Sequence, residues 1–362
     1  MYFYVPIFPV YTRSMSGSLS MVGIIIASYA IPQMLFRIPM GIWFDRLVKR
    51  KSAVIAGFVV AIAGALGLGL ASSPWGLFAA RFTTGIAAAS WVYLTVYFTS
   101  YYGQENIGKS IGLVNFVNNI AIVAATLSGG FVADIWGDKY TFYIAVLLGI
   151  IALTVLLFTG EPPRQQVKNT SRQNFTSLAF NPVLLTTSAM GILVFFTHNA
   201  GILGFIPIYA DAIGASSADL GVITMLSIGS SAVASLSASY FTEKIGNRLT
   251  IILGAALIGI SMMAIPFIHH VYILALLQIV QGFGKGAAFT VMMALSIKSV
   301  SPEQRATAMG IYQASYAVGM MLGPLLSGFL ADSHGLSVVF YLSASLCLLI
   351  IGMAFLPFLP KR

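Results

Sequence analysis

Gly41–Lys51 reads GIWFDRLVKRK: one carboxylate, Asp45, among four bases, Arg46, Lys49, Arg50 and Lys51, directly after an apolar run. Ser239–Arg248, SYFTEKIGNR, is a second version, with Glu243 in the place of Asp45 and Arg248 in the place of Arg50. The two acids lie 198 residues apart, more than half of the 362-residue chain. Working outward from either copy shows what that interval means.

Composition sets the solvent first. Hydrophobic residues make up 58% of the chain and charged residues 8%, with a mean hydropathy of +0.90. A soluble domain carries roughly 25% charged residues, so this chain is an integral membrane protein. Apolar runs of twenty or more residues favour helices over a β-barrel. The net charge of +9 comes from bases between those runs, where they orient helices rather than bind nucleic acid. The single cysteine, Cys347, excludes an intrachain disulfide and has a packing role. Met1-Tyr-Phe-Tyr lacks a cationic start, and Arg13 follows the apolar residues, so no cleavable signal is expected.

In chain order, Met1–Tyr11 is apolar but too short to cross a bilayer, which takes about 20 residues. Five spans follow near Leu19–Trp43, Ser52–Ala71, Trp75–Phe98, Gly108–Val132 and Tyr140–Phe158. A polar segment with Pro162 and Pro163 forms a linker. Six more spans lie near Pro182–Tyr209, Leu220–Phe241, Leu249–Ile268, Ile273–Ile297, Ala306–Leu330 and Leu336–Leu359. With the Asp45 loop placed in the cytoplasm, fourteen bases fall inside and only Arg13 and Lys139 outside, a strong positive-inside bias. The C-terminus is then cytoplasmic, in a multi-pass protein of the cell membrane.

The interval of 198 recurs along the chain, the mark of an internal repeat. Ile7–Tyr11 (IFPVY) matches Phe205–Tyr209 (FIPIY), Gly23 matches Gly221, and Asn115 matches Gln313. Gly130–Asp134 (GFVAD) matches Gly328–Asp332 (GFLAD), and Phe142-Tyr143 matches Phe340-Tyr341. Only near the fourth span does the register slip by one, with Thr84-Gly85 facing Gln281-Gly282. The expected architecture is all-α: two tandem six-helix bundles, 1–159 and 182–362, joined by a cytoplasmic linker, 160–181. Pro182 has its counterpart before Met1, so the first helix is expected to be truncated by roughly fifteen residues of a normal membrane length.

At this point the chain resembles the major facilitator superfamily of secondary transporters, over its whole length. The family's loop motif, Gly-x-x-x-Asp-Arg-x-Gly-Arg-(Arg/Lys), is matched by Gly41, Asp45, Arg46, Lys49 and Arg50, with Val48 in place of the usual glycine. Its fourth-helix motif is matched by Arg81, Gly85 and Ala89. The fifth-helix pattern of its proton-coupled exporters, Gly-Pro-x-x-Gly-Gly, keeps only Gly129 and Gly130; Gly323-Pro324 and Gly328 carry a version in the second half. The general likeness is to bacterial twelve-helix drug and metabolite exporters. It implies bundles that rock about a midplane cavity, a small-molecule substrate, and no cofactor or metal. A monomer in the lipid bilayer, with protons as coupling ion, is expected.

Asp45 is then a candidate latch, since a carboxylate is stabilised by the positive end of a helix. The resemblance implies Arg305–Met309 as its partner, and the repeat sets Glu243 against Ile107–Ser110. The alternative is that Arg46–Lys51 only sets topology. Charge inside a membrane is costly and points to function. Arg37 lies near a span end and can snorkel; Arg81 is about 9 Å deep and Lys285 about 18 Å deep at 1.5 Å per residue. Lys285 is the leading single candidate. Gly282–Gly286 (GFGKG) superficially resembles a phosphate loop, but it lies inside a helix, where its glycines allow close packing.

Asn115, Asn118 and Asn119 share a helix face and either line the cavity or bind helices together. His198, Asn199, Gln33, Gln278 and Gln313 are further cavity candidates. His198 either titrates near neutrality or packs. Trp91, Tyr93 and Tyr97 either stack a substrate or anchor the helix. Every carboxylate of the chain falls in a loop or at a span end. Two functions remain: proton-driven export of a small amphiphilic compound, or carriage of an organic or inorganic anion by Arg81 and Lys285. An enzyme is not expected, because the four histidines lack carboxylate partners at ligand spacing.

Overall fold

The computed structural model describes residues 1–46, 50–102, 107–161, 180–301 and 304–359, and they are helical with no strand among them. Eleven stretches among them are long and apolar enough to cross a bilayer, each on a run that hydropathy marks out. Leading them are α1 (Phe8–Ser16), α2 (Leu19–Ser28), α3 (Ala30–Arg46), α4 (Arg50–Leu70), α5 (Pro74–Ala89) and α6 (Trp91–Thr99). Then come α7 (Ile107–Trp136), α8 (Asp138–Phe158), α9 (Pro182–Ala200) and α10 (Ile206–Ala212). The chain closes with α11 (Ser217–Ala264), α12 (Val271–Lys298), α13 (Arg305–His334) and α14 (Ser337–Ala354).

Three expected spans are interrupted. The first full one breaks between α2 and α3 at Tyr29, because Pro32 has no N–H for the Ser28 carbonyl four residues back. The Trp75–Phe98 span breaks at Ser90, whose hydroxyl donates to the Ala87 carbonyl (2.6 Å) and competes with the helix ladder. Between α9 and α10 the backbone widens into a π-helical turn, Gly201–Phe205, ahead of Pro207. In the other direction, two expected spans run on as α11 and are separated only by Gly246, whose φ of 83° breaks the helix. Gly246 stands where the repeat puts Val48, so the loop motif's glycine serves a left-handed backbone that a β-branched residue strains to adopt. Val48 and Lys49 lie outside the described residues, as does most of the linker, 162–179, and of Gly41, Asp45, Arg46 and Asn115 only the backbone is described.

Repeat and contact coincide. Helices α7 and α13 are thirty residues each and correspond from first to last at the repeat interval. They also bridge the halves, α7 against α11 and α13 against α2. Glycines make both contacts possible. A Cβ on Gly23 would stand 3.1 Å from the Gly328 Cα, and one on Gly130 would stand 2.7 Å from the Gly221 Cα. Gly23 corresponds to Gly221 and Gly130 to Gly328, so one close approach is built twice. The shared core holds both copies of the Pro-containing motif, with Ile7, Phe8 and Tyr11 beside Phe205, Ile206 and Ile208.

The halves differ on the basic face, the side of the α3–α4 connection. In the second half, Leu184, Met190 and Val194 of α9 fill a core with Ala255, Ala288 and Met292. In the first half the corresponding space is an apolar cavity of about 350 Å³, walled by Val54, Phe58, Ala61, Ala88 and Leu148, with Met1 at its edge.

Candidate substrate cavity

Lys285 owes its direction to the glycines around it. A Cβ on Gly282 would fall 2.1 Å from the Ser227 carbonyl oxygen, and one on Gly286 2.1 Å from that of Ser231. On the other side, a Cβ on Gly284 would fall 2.5 Å from the Gly254 oxygen. Helix α12 is thus pressed onto both parts of α11, and Lys285 projects into a cavity of about 210 Å³. Asn119 of α7, His198 of α9, Ser231 and Ser235 of α11, and Phe289 of α12 also line it. Among the described residues no carboxylate lines this space.

Tyr2 and Phe289 are the aromatic residues of the lining. Phe195 stacks on Tyr316 with centroids 4.1 Å apart and planes at 13°, and meets Phe289 edge-on at 5.1 Å. The Lys285 Nζ lies 5.6 Å from the Phe195 centroid, within cation–π range. His198 is buried beside the same ring, 6.2 Å between centroids, and its Nδ1 makes no hydrogen bond among the described residues. The cavity therefore offers a cation, hydroxyls and an amide together with the rings of Tyr2 and Phe289 and the aliphatic side chains of Ile122, Leu203 and Ile228. Such a space takes a small molecule with a polar end and an apolar body.

Arg81 is elsewhere. Its guanidinium carbon lies 4.4 Å from the Tyr29 centroid and 4.7 Å from that of Phe8. Gly85, four residues on, lets α5 close on the α2–α3 break: a Cβ there would meet the Tyr29 carbonyl oxygen at 2.4 Å. The fourth-helix motif therefore brings Arg81 and Tyr29 together. Arg81 lines a separate cavity of about 30 Å³ with Asn199, whose Nδ2 donates to the Phe195 carbonyl (2.9 Å).

Gln33 and Gln313 meet across the halves through Arg37, which the sequence reading left at a span end. Arg37 donates from Nη2 to Gln33 Oε1 (3.1 Å) and from Nη1 to Gln313 Oε1 (3.5 Å). Gln278 is fully buried, with neither amide atom hydrogen-bonded among the described residues, and it lines none of these spaces. Asn118 is half-buried on α7 outside the cavity lining. On the basic face, the backbone N–H groups of Arg50 and Lys51 donate to Glu161 Oε1 at 2.7 and 3.1 Å, so Glu161 caps α4. Arg248 Nη2 donates to the Leu356 carbonyl (3.3 Å). In each half the end of the loop motif is thus tied to the end of that half's last helix. Glu243 is exposed.

Sequence reasoning missed Ser231, Ser235, Tyr2 and Phe289. For the two serines a signal existed, since they stand at the repeat interval from Gln33 and Arg37. The aromatics had none, being indistinguishable from packing residues.

Residues 1–229 and 189–362 each match the family model described as Major Facilitator Superfamily. An uncharacterised MFS-type transporter of Methanocaldococcus jannaschii is 25% identical over 357 residues, 94% of this chain and 90% of that protein. Multidrug resistance protein MdtG of Escherichia coli is 27% identical over 311 residues, 84% of this chain and 75% of that one. The class B tetracycline resistance protein of Escherichia coli is 23% identical over 318 residues, 84% and 77% respectively. A solved bacterial homologue of the human lysosomal transporter Spinster, inward-facing and unoccupied, superposes with a TM-score of 0.84 at 16% identity, over 98% of this chain and 93% of that one. That likeness is one of fold.

Proposed function

The chain belongs to the major facilitator superfamily, and from that premise we propose that it exports a small amphiphilic compound or metabolite in exchange for protons. It is an all-helical membrane transporter of small molecules, not an enzyme. The observation that carries the reading is the Lys285 cavity, whose lining combines polar groups with the rings of Tyr2 and Phe289 and aliphatic side chains. Multidrug and tetracycline resistance proteins among its relatives support export.

The proposed cycle uses mutual exclusion. A protonated Lys285 and a cationic substrate in one 210 Å³ space repel; at about 5 Å and an effective dielectric of ~20 this costs about 3 kcal/mol. Substrate entry then drives the proton off Lys285 or His198, and a proton returning from the outside drives the substrate out. Bundles 1–159 and 182–362, joined by the linker 160–181, rock about this point, the C-terminus lies in the cytoplasm, and a monomer in the cell membrane suffices. The loop motif is assigned to gating on the basic face, Asp45 against the start of α13 and Glu243 against the start of α7.

A second reading has its own support. The same cation in a cavity whose described lining holds no carboxylate suits an organic or inorganic anion. Uptake of a cationic dye and of an aromatic carboxylate into everted vesicles separates the two. Export predicts dye accumulation that a protonophore abolishes and that Lys285→Ala impairs. Carboxylate accumulation without dye accumulation favours the anion carrier. Transport of both unchanged by Lys285→Ala removes this cavity from either reading.

A further inference from the structure

We propose that Asp219 keeps a second latch between the halves from forming, so that the face opposite the basic loops is fastened along α2 and α13 only and parts first along α7 and α11. The two seams share one backbone plan. A Cβ on Gly328 would stand 2.6 Å from the Leu19 carbonyl oxygen, and one on Gly130 would stand 2.7 Å from that of Ser217. Leu19 and Ser217 correspond at the repeat interval, as do Gly130 and Gly328. Asp134 and Asp332 each follow their contact glycine by four residues, about one helical turn. The backbone therefore brings Asp134 to the start of α11 as it brings Asp332 to the start of α2.

What differs is the third residue of each receiving helix, Met21 in α2 and its repeat counterpart Asp219 in α11. Both helices begin on the same serine cap. Ser18 Oγ accepts from the Met21 N–H (3.3 Å), and Ser216 Oγ accepts from the Asp219 N–H (3.2 Å). A hydroxyl has one proton to give, and a thioether is a weak acceptor. Ser18 gives its proton across the halves, to Asp332 Oδ2 (2.7 Å). Ser216 gives its proton to Asp219 Oδ2 (3.0 Å), which also accepts from the Ser216 N–H (2.9 Å). The α11 cap is thereby closed within its own turn. A second carboxylate arriving there would find the hydroxyl taken and would meet the like charge of Asp219.

One latch on one seam makes closure asymmetric. Opening along α7 and α11 gives up the glycine contact, whereas opening along α2 and α13 must also give up three hydrogen bonds to a carboxylate. The first seam therefore yields before the second. The device concerns only how the halves close, and it holds for either cargo.

The test uses the full chain in nanodiscs, with Cys347→Ala and spin labels at Ile135 of α7 and Ala212 of α10, both exposed. Asp219→Met is expected to shrink the longer-distance population a few-fold, as a gained cap should, and adding Asp134→Ala is expected to restore it. Asp134→Ala alone is expected to change nothing. An unchanged distribution in Asp219→Met, or a change that persists when Asp134→Ala is added, overturns the block. If Asp219→Met does not fold, the reciprocal substitution decides. Met21→Asp, labelled at Ser14 and Ser333, is expected to close α2 on itself, so that Asp332→Ala adds nothing to it. In Met21→Ala, which loses only packing, Asp332→Ala is expected to keep a few-fold effect. An Asp332→Ala effect of equal size in the two backgrounds overturns the proposal.

Discussion

Asp332, near the end of α13, accepts hydrogen bonds from Ser18 Oγ (2.7 Å) and from the backbone nitrogens of Leu19 (2.8 Å) and Ser20 (2.7 Å). A carboxylate of one half thereby caps the first turn of α2 in the other. The repeat counterparts, Asp134 and Ser216, do not repeat the bond. Asp134 is exposed, and Ser216 closes a capping box with its own Asp219 (Oγ to Oδ2 3.0 Å). Of two symmetric positions, only one joins the halves.

Asp332→Ala is accordingly expected to favour separation of the halves on the face opposite the basic loops, whereas Asp134→Ala is not. For a partly solvated cap the cost is about 0.5–1 kcal/mol, a few-fold change in population. Spin labels at Ser14 and Ser333, in a chain with the buried Cys347 replaced by alanine, report it. A longer-distance population should grow in Asp332→Ala alone; equal growth in both variants sinks the latch.

The paired glycines give a stronger prediction. A Cβ on Gly23 would stand 2.3 Å from the Pro324 carbonyl oxygen, and backbone cannot yield as a side-chain tip does. Gly23→Val should cost about 1–3 kcal/mol in the closed contact and shift the same label pair by roughly a five-fold or larger change in population. Gly352, with nothing within 4 Å, is the control, and Gly352→Val should leave the distances alone.

Phe289 lines the Lys285 cavity and meets Phe195 edge-on. Its replacement by leucine keeps much of the volume but removes the ring that the cavity offers. With aromatic contacts worth about 0.5–1.5 kcal/mol, KM for an aromatic substrate should rise about three- to tenfold, with little change for an aliphatic one. Equal effects on both would mean that the ring only packs.

Arg37 is the third intramembrane base, and it spans the halves. Arg37→Ala removes both glutamine bonds at once, while Arg37→Lys keeps the charge but loses the fork whose two nitrogens reach the two glutamines. Transport rate should fall in the order wild type, Lys, Ala, with substrate affinity unchanged. A changed KM at constant rate would move Arg37 into the substrate site.

Much of the fold was legible beforehand because the signals were local. The starts of α7 and α13 follow from hydropathy and the repeat together, while both helices run four residues past the expected ends at Val132 and Leu330. The break at Tyr29 was also within reach, since Pro32 announces it, but an apolar run conceals a break that membrane burial tolerates. The site was less legible. Arg81 and Lys285 looked like one pair of cavity cations, yet they face two cavities on either side of Tyr2 and Leu203. Nothing in the spacing of two helices that are far apart in the chain reports their relative rotation.

The sequence by itself determined the solvent, the number and order of the crossings, and their two-fold repetition, because each is a one-dimensional pattern. Tertiary structure alone decided which polar groups meet. Gly282, Gly284 and Gly286 press α12 onto α11 and turn Lys285 inward, and Gly85 seats Arg81 against Tyr29. Those contacts are set by backbone distances of a few ångströms between segments far apart in the chain. For the same reason Asp332 caps α2 across the halves, while Asp134, at the end of a nearly identical GFVAD, makes no such bond.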